Sequence, residues 1–293
     1  MHVPVLLERV VEFLALKPGS NVLDCTVDGG GYAEAILEAT GPSGMLVGLD
    51  TDPSMLEISR VRLGPFGRRV RLRELNFRHL AIAATEFGKP IQAIVADLGM
   101  SSVQLEDPKR GLSFMRSGPL DMRLSPKTSL TAATIVNQWP IFELRKIFQE
   151  FGQERHAGRI VDAIVKRRKQ QRFIDTIDLA NLIERVVGRR GKIHPATRVF
   201  QALRIATNDE LTALEEALPQ MRESLAPYGH IVILSYHSLE DRIVKHFFRN
   251  EQKNGRLAIL TKKPITPTRA EILSNPRSRS TKLRVAEKRN IAE

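Results

Sequence analysis

Two groups of residues have types and spacing that could do chemistry. The first is the run Asp28-Gly29-Gly30-Gly31, flanked by Asp24 and Glu34. A glycine-rich turn between a strand and a helix lets backbone amides approach a ligand closely. Asp50 follows 19 residues after Gly31, at the spacing where an acid grips ribose hydroxyls. Dinucleotides and S-adenosylmethionine both use such a site. The dinucleotide fingerprint G-x-G-x-x-G fails: Gly29 and Gly31 fit, but the third position is Glu34, whose carboxylate would repel a pyrophosphate. No G-K-[ST] follows, which excludes a P-loop. Asp24, Asp28 and Glu34 suit a cofactor carrying a sulfonium and an ammonium. The competing reading is that these acids only cap a helix N-terminus.

The second group is Asp97 and the stretch after it, DLGMSSVQLEDPKRGLSFMRSGPLDMR. Asp97 closes an apolar run, where open α/β sheets place ligand and chemistry. The stretch is polar and glycine-punctuated, the composition of a functional loop rather than a core element.

The elements that must position these residues are legible as alternating short apolar runs and helical periods. Strands are expected at 21–26, 45–50, 70–75 and 91–97, with helices between them and Asp52-Pro53 capping one. Strand, helix, strand at this spacing means βαβ units in a parallel sheet, an α/β fold. From about 108 to 195 only helical segments appear, among them 142–148 and 159–168. Strand signal returns at 230–236, after a helix around 211–225, and LAILTKK and TKLRVAEK supply a closing antiparallel hairpin. The expected organisation is a discontinuous core, 1–107 and 196–293, carrying a helical insertion at 108–195 for substrate recognition.

The 293 residues are 42% hydrophobic, enough for a core. Lysine and arginine number 45 against 33 acids, a net charge of +12, which favours a polyanionic partner such as nucleic acid. Cys25 is the one cysteine, so disulfide frameworks and multi-thiolate zinc sites are excluded. No ligand cluster for a metal stands out. No run reaches the ~18 apolar residues of a membrane span. The N-terminal stretch lacks a basic region and a cleavage site, which leaves the cytosol or an organelle matrix as the expected location, bacterial cytoplasm first.

Across nearly its whole length the chain resembles the bacterial 16S rRNA cytosine-N4 methyltransferase family, MraW or RsmH. The likeness runs through HVPVLL at 2–7, the glycine loop, Asp97 to Arg123, FGQERHAGRI at 151–160 and HPATRVFQALRIATNDEL at 194–211. It continues through SYHSLEDRIVKHFF at 235–248 and the tail from Leu260 to Lys288. The resemblance implies a class I S-adenosylmethionine-dependent methyltransferase core (Rossmann-like) with an inserted helical domain. It also implies methyl transfer to the exocyclic N4 of a decoding-centre cytosine in 16S rRNA. Carried over by position, the cofactor contacts fall on Gly30, Gly31, Tyr32, Asp50, Phe77, Asp97 and Gln104. Asp50 would bind the ribose and Phe77 would lie against the adenine. The chain departs from the family loop T-x-G-x-G-G-H at two places, Asp28 for a glycine and Tyr32 for the histidine. Those departures keep open an alternative, a non-catalytic RNA-binding or ribosome-assembly protein that holds the cofactor.

Carbon methylation of a pyrimidine uses a cysteine nucleophile, and Cys25 stands in no such context. Amino-nitrogen methylation needs only alignment and an acceptor for the amino hydrogen. Asp97, or the turn from Gly99 to Ser102, is the first candidate for that role; Ser235 and His237 are the second. The reading of His237 as a structural residue beside a Ser238 cap competes. RNA contacts are expected from Arg110, Arg116, Arg123, Arg198, Arg204, Arg277 and Arg279. Lys166-Arg167-Arg168-Lys169 is either a further contact or a solvated helix face. Phe114, Trp139 and Tyr236 are either base-stacking residues or core. Oligomeric state is left open by the sequence, a homodimer included.

Overall fold

The structure, a computed structural model, describes residues 4–189, 191 and 193–290. His2 and Val3 of the HVPVLL segment lie outside the described residues. Contacts divide the chain into two units, one of Met1–Gly99 with Leu211–Glu293 and one of Met100–Glu210.

The first unit is built on a seven-stranded sheet: β1 (Val22–Asp24), β2 (Leu46–Asp50), β3 (Val70–Glu74), β4 (Ile91–Asp97), β5 (Leu225–Ser235), β6 (Leu257–Ile259) and β7 (Lys282–Lys288). The order is β3-β2-β1-β4-β5-β7-β6. The first five strands are parallel, and β7 runs antiparallel between β5 and β6, so the expected hairpin forms. Strand order reverses between β1 and β4, the place where open α/β sheets bind ligands.

Adjacent residues in each strand go to opposite faces, as the period of two requires. Leu23, Val47, Ile94 and Ile231 join one apolar cluster with Leu214, Met221 and Phe248. Their neighbours Val22, Leu46, Ala93 and Val232 join another with Leu14, Ala33, Ile36 and Leu56. The second face is covered by α1 (Leu7–Leu14), α2 (Gly31–Ala39) and α3 (Pro53–Leu63). The first is covered by α4 (Leu80–Ala84), and, later in the chain, by α11 (Glu210–Ser224) and α12 (Ser238–Lys253). Burial on both faces explains why the central strands are continuously apolar rather than alternating. Asp52 caps α3 by accepting from the Ser54 amide at 3.0 Å, with Pro53 at the first helical position.

The second unit is helical: α5 (Ser102–Glu106), α6 (Ala132–Gln138), α7 (Ile141–Glu150), α8 (Ala157–Arg168), α9 (Thr176–Val187) and α10 (Thr197–Asn208). It has its own core, with Phe148, Ile160, Phe173 and Ile183 fully buried. That core extends the unit beyond the expected 108–195 at both ends. Val199, Phe200, Ala202 and Leu203 of α10 pack into it, and so do Met100 and Leu105. The boundaries therefore fall at 99/100 and 210/211. A short α13 (Arg269–Ser274) precedes β7.

Candidate active site

The C-terminal edge of the sheet carries the chemistry-bearing residues of the first unit. β1, β2 and β4 each end on an aspartate, Asp24, Asp50 and Asp97. Asp24 is buried and Asp50 and Asp97 half-buried; Asp28 in the following loop adds a fourth, half-buried carboxylate. The backbone ties them together. The Asp28 amide donates to Asp50 Oδ2 at 3.0 Å, and the Thr26 amide to Asp24 Oδ1 at 3.1 Å. The Asp97 amide donates to Thr26 Oγ1 at 2.7 Å.

Burial dominates the electrostatics. Loss of water pushes the Asp24 carboxyl up to about 7, with Asp97 and Asp50 adding repulsion. Burial raises Asp97 to about 7, although the hydrogen bond from Tyr236 holds it back. Asp50 rises to about 6 for the same reason, opposed by backbone donors. Asp28 is driven well above the usual carboxylate range by burial and by its four acidic neighbours, Asp50, Asp97, Asp24 and Asp52. No arginine or lysine pairs with any of the four among the described residues, and Asp24 Oδ2 is buried without a hydrogen-bond partner. A carboxylate cluster so built suits a cation.

The glycine loop is shaped by two positions. Gly30 adopts φ 78° as the N-cap of α2, a left-handed conformation that favours glycine. A Cβ on Gly31 would stand 2.4 Å from Pro4 Cγ, so the N-terminal segment lies directly on the loop. No side chain caps α2, so the capping reading of the acids does not hold there. Glu34 is also not part of the acidic pocket: Arg62 Nη2 pairs with it at 2.6 Å. Asp28 itself takes φ 46°, the conformation a glycine would hold more cheaply. Its carbonyl accepts from the Ser59 hydroxyl. Tyr32 is buried, and its hydroxyl donates to the Val5 carbonyl at 2.6 Å.

Gly30, Gly31, Tyr32, Asp50 and Asp97 thus come together at the strand ends. Phe77 opens a short helical turn after β3 and is half-buried against the core. Ser102 and Gln104 belong to the helical unit, at the start of α5. Gln104 Oε1 accepts from the Ser101 amide at 2.9 Å and closes a capping box.

The two secondary candidates both make local hydrogen bonds. Ser235 is buried, and its hydroxyl donates toward the Lys282 carbonyl of β7 at 3.4 Å. His237, not Ser238, is the N-cap of α12: Nδ1 accepts from the Glu240 amide at 3.4 Å, and Glu240 accepts in return from the Tyr236 and His237 amides. Tyr236 is the site residue that sequence reasoning left among stacking or core aromatics. Its hydroxyl donates to Asp97 Oδ1 at 2.7 Å. Its place just after β5, beside β4, was the available signal.

The predicted RNA arginines divide by their partners. Arg123 makes a two-point pair with Asp121 at 2.8 Å, and Arg204 one with Glu210 at 2.9 Å. Both are engaged in ion pairs within their own unit. Arg110 reaches the Leu124 carbonyl. Arg116, Arg198, Arg277 and Arg279 are exposed. In the basic run, Arg167 pairs with Asp178 and stacks over Phe173, and Arg168 bonds the Val136 carbonyl, which leaves Lys166 and Lys169 outward. Phe114 and Trp139 pack on the helical core.

A doubly wound sheet with a glycine loop after β1, an acid closing β2 and a cluster of unpaired carboxylates is the architecture of an S-adenosylmethionine-dependent methyltransferase. The chain belongs to the MraW methylase family, whose model matches residues 1–289. Two relatives, both described as ribosomal RNA small subunit methyltransferase H, are similar over almost all of both chains. The one from Heliobacterium mobile is 45% identical across 98% of each. The one from Carboxydothermus hydrogenoformans is 46% identical across 99% of each. A crystal structure assigned as an rRNA methylase from Clostridium thermocellum shares the fold, with a TM-score of 0.50 and 11% identity over 100% of both chains. No helix among the described residues is long and apolar enough to cross a membrane.

The residues present fit this cofactor. The orphaned Asp24 oxygen and the unneutralised Asp28, Asp50 and Asp97 match a ligand bearing positive charge, and the uncapped N-terminus of α2 leaves backbone amides free to approach it.

Proposed function

We propose that this enzyme methylates the exocyclic N4 of a decoding-centre cytosine in 16S rRNA of the small ribosomal subunit, in the bacterial cytoplasm. The near full-length likeness to relatives described as small-subunit rRNA methyltransferases carries the reading. S-adenosylmethionine, when bound, supplies an electrophilic methyl on a sulfonium. Gly30 and Gly31 would admit its methionine end, Asp50 its ribose hydroxyls, and Phe77 its adenine.

Asp97 is the group we assign to the substrate amino nitrogen. As a carboxylate it accepts a hydrogen bond from the amino group and draws the nitrogen lone pair out of the ring. A carboxyl raised to about 7 is also basic enough to take the proton that methylated nitrogen must lose. Tyr236 fixes the carboxylate through its 2.7 Å hydrogen bond and acts as a positioning residue. No covalent intermediate is required, in keeping with Cys25, which is buried and whose thiol burial pushes well above its ordinary value. The target base must leave its stack to reach such a site. The exposed Arg116, Arg198, Arg277 and Arg279 would bind phosphates, and the helical unit would recognise the substrate.

The test is methyl transfer from labelled S-adenosylmethionine to small subunits lacking the modification, followed by nucleoside mass spectrometry. N4-methylcytidine is the expected product. Bound cofactor without transfer would instead favour the non-catalytic role that the Asp28 and Tyr32 departures raise.

A further inference from the structure

We infer that a basic pocket on α12 and the β6–β7 edge of the sheet binds the phosphate backbone of the RNA substrate, away from the carboxylate site. The inference rests on the RNA-methyltransferase reading above. Lys245, Phe248, Arg249 and Gln252 recur at three- and four-residue steps, which places them on one face of α12. Ile259 of β6, Lys262 just beyond it and Arg284 of β7 form the facing wall. Together they line a concavity of about 290 Å³.

The nearby acids are already engaged. Asp241 takes Arg284 Nε at 2.6 Å and Lys282 Nζ at 2.9 Å. Glu251 takes Arg222 at 2.6 Å and Arg256 at 2.8 Å. Lys245, Arg249 and Lys262 make no ion pair among the described residues. Three uncompensated cations around one concavity repel one another until an anion enters.

The walls are fixed by their own hydrogen bonds. Gln252 Oε1 accepts from the Ile259 amide at 3.0 Å, and Thr261 Oγ1 from the Val285 amide at 2.9 Å. The floor is apolar, with Phe248 buried and Ile259 half-buried. An arginine fork and two lysine point charges match phosphate oxygens. Lys245 and Arg249 stand about 6 Å apart along the helix axis, at ~1.5 Å per residue. That span suits successive phosphates of a polymer better than one phosphate group.

The experiment compares wild type with the Lys245→Ala/Arg249→Ala/Lys262→Ala variant. Affinity is measured across a salt series for unmodified small subunits and for protein-free small-subunit rRNA. The expected result is a roughly tenfold loss for both at ~0.15 M salt, and a slope of log affinity against log salt shallower by about 2, at ~0.7 per lost phosphate. Cofactor affinity and thermal midpoint stay at wild-type values, and the KM for subunits rises. A variant with the wild-type slope, while wild type binds and methylates, overturns the site alone. Loss on subunits with none on bare rRNA identifies a protein partner and overturns it too. A wild-type protein that binds neither RNA overturns both this inference and the functional reading.

Discussion

The Tyr236 hydroxyl donates to Asp97 Oδ1 at 2.7 Å, joining the residue after β5 to the last residue of β4. The two strands are parallel neighbours, with Asp97 opposite Leu234, so the side chain of Tyr236, two residues on and just past the end of β5, reaches the carboxylate. This bond opposes the burial that raises Asp97.

Tyr236→Phe removes a donor that favours the charged carboxylate, so the Asp97 carboxyl should rise above about 7. A hydrogen bond to a charged group contributes ~1.5 kcal/mol, or about one pH unit. The rising limb of the single-turnover pH–rate profile should move up by about that much. Activity should fall several-fold near neutrality and recover in alkali. Asp97→Ala should abolish transfer at every pH. An unmoved profile in the phenylalanine variant would remove Tyr236 from the mechanism.

Cofactor affinity should strengthen as pH rises through 6 to 7. Asp24, Asp50 and Asp97 must lose protons over that range before they can attract a sulfonium. Calorimetry in buffers of different ionisation enthalpy should report proton release on binding, with a weaker pH dependence for the demethylated product, which lacks the sulfonium charge. Without ligand the sign reverses. The folded protein holds protons on these raised carboxyls that the unfolded chain has released above about 4. Their contribution to stability is therefore full below that point and is lost as pH rises to about 7.

Asp28→Gly should stabilise the protein. The left-handed φ of 46° costs an aspartate about 1 kcal/mol relative to glycine. Both backbone bonds of residue 28, to Asp50 and from Ser59, survive the change. The gain should grow as pH rises above about 4, because the variant no longer carries a carboxyl that desolvation holds well above its unfolded value. Denaturant midpoints at three pH values would show it, and a pH-independent or negative difference would contradict it.

Arg204→Ala and Arg279→Ala should fail in opposite assays. Arg204 loss strands Glu210, only 11% exposed, and should cost about 2 kcal/mol in unfolding free energy. Arg279 is exposed, and its loss should change stability by less than ~0.5 kcal/mol. The same change should make the salt dependence of RNA binding shallower by about 0.7 to 0.9.

Much of this protein is determined locally. The parallel strands up to Asp97 are apolar runs between turn signals, and both faces of the sheet are covered, so length and composition alone placed them. Asp50 and Asp97 were legible because strand ends at a topological switch are where such folds bind ligands. The glycine loop was legible because Gly30 needs a conformation few other residues adopt.

What the sequence left undecided depends on partners distant along the chain. Arg204 and Arg279 look alike as letters, and only packing shows that one is spent on Glu210. Glu34 seemed one of the cofactor acids until Arg62 of α3 claimed it. His237 reads as catalytic or structural in the sequence, and folding gives its Nδ1 a capping role through Glu240. The edge of the helical unit moved to 210/211 because α10 buries its apolar face in that core, a choice of neighbour that periodicity does not specify. Tyr236 acquired its place on Asp97 only when two strands whose paired residues lie 137 positions apart, Asp97 opposite Leu234, were laid side by side. Hydrophobic period fixes which residues turn inward; tertiary contact alone decides which charge meets which partner, because electrostatic pairing acts through space and not along the chain.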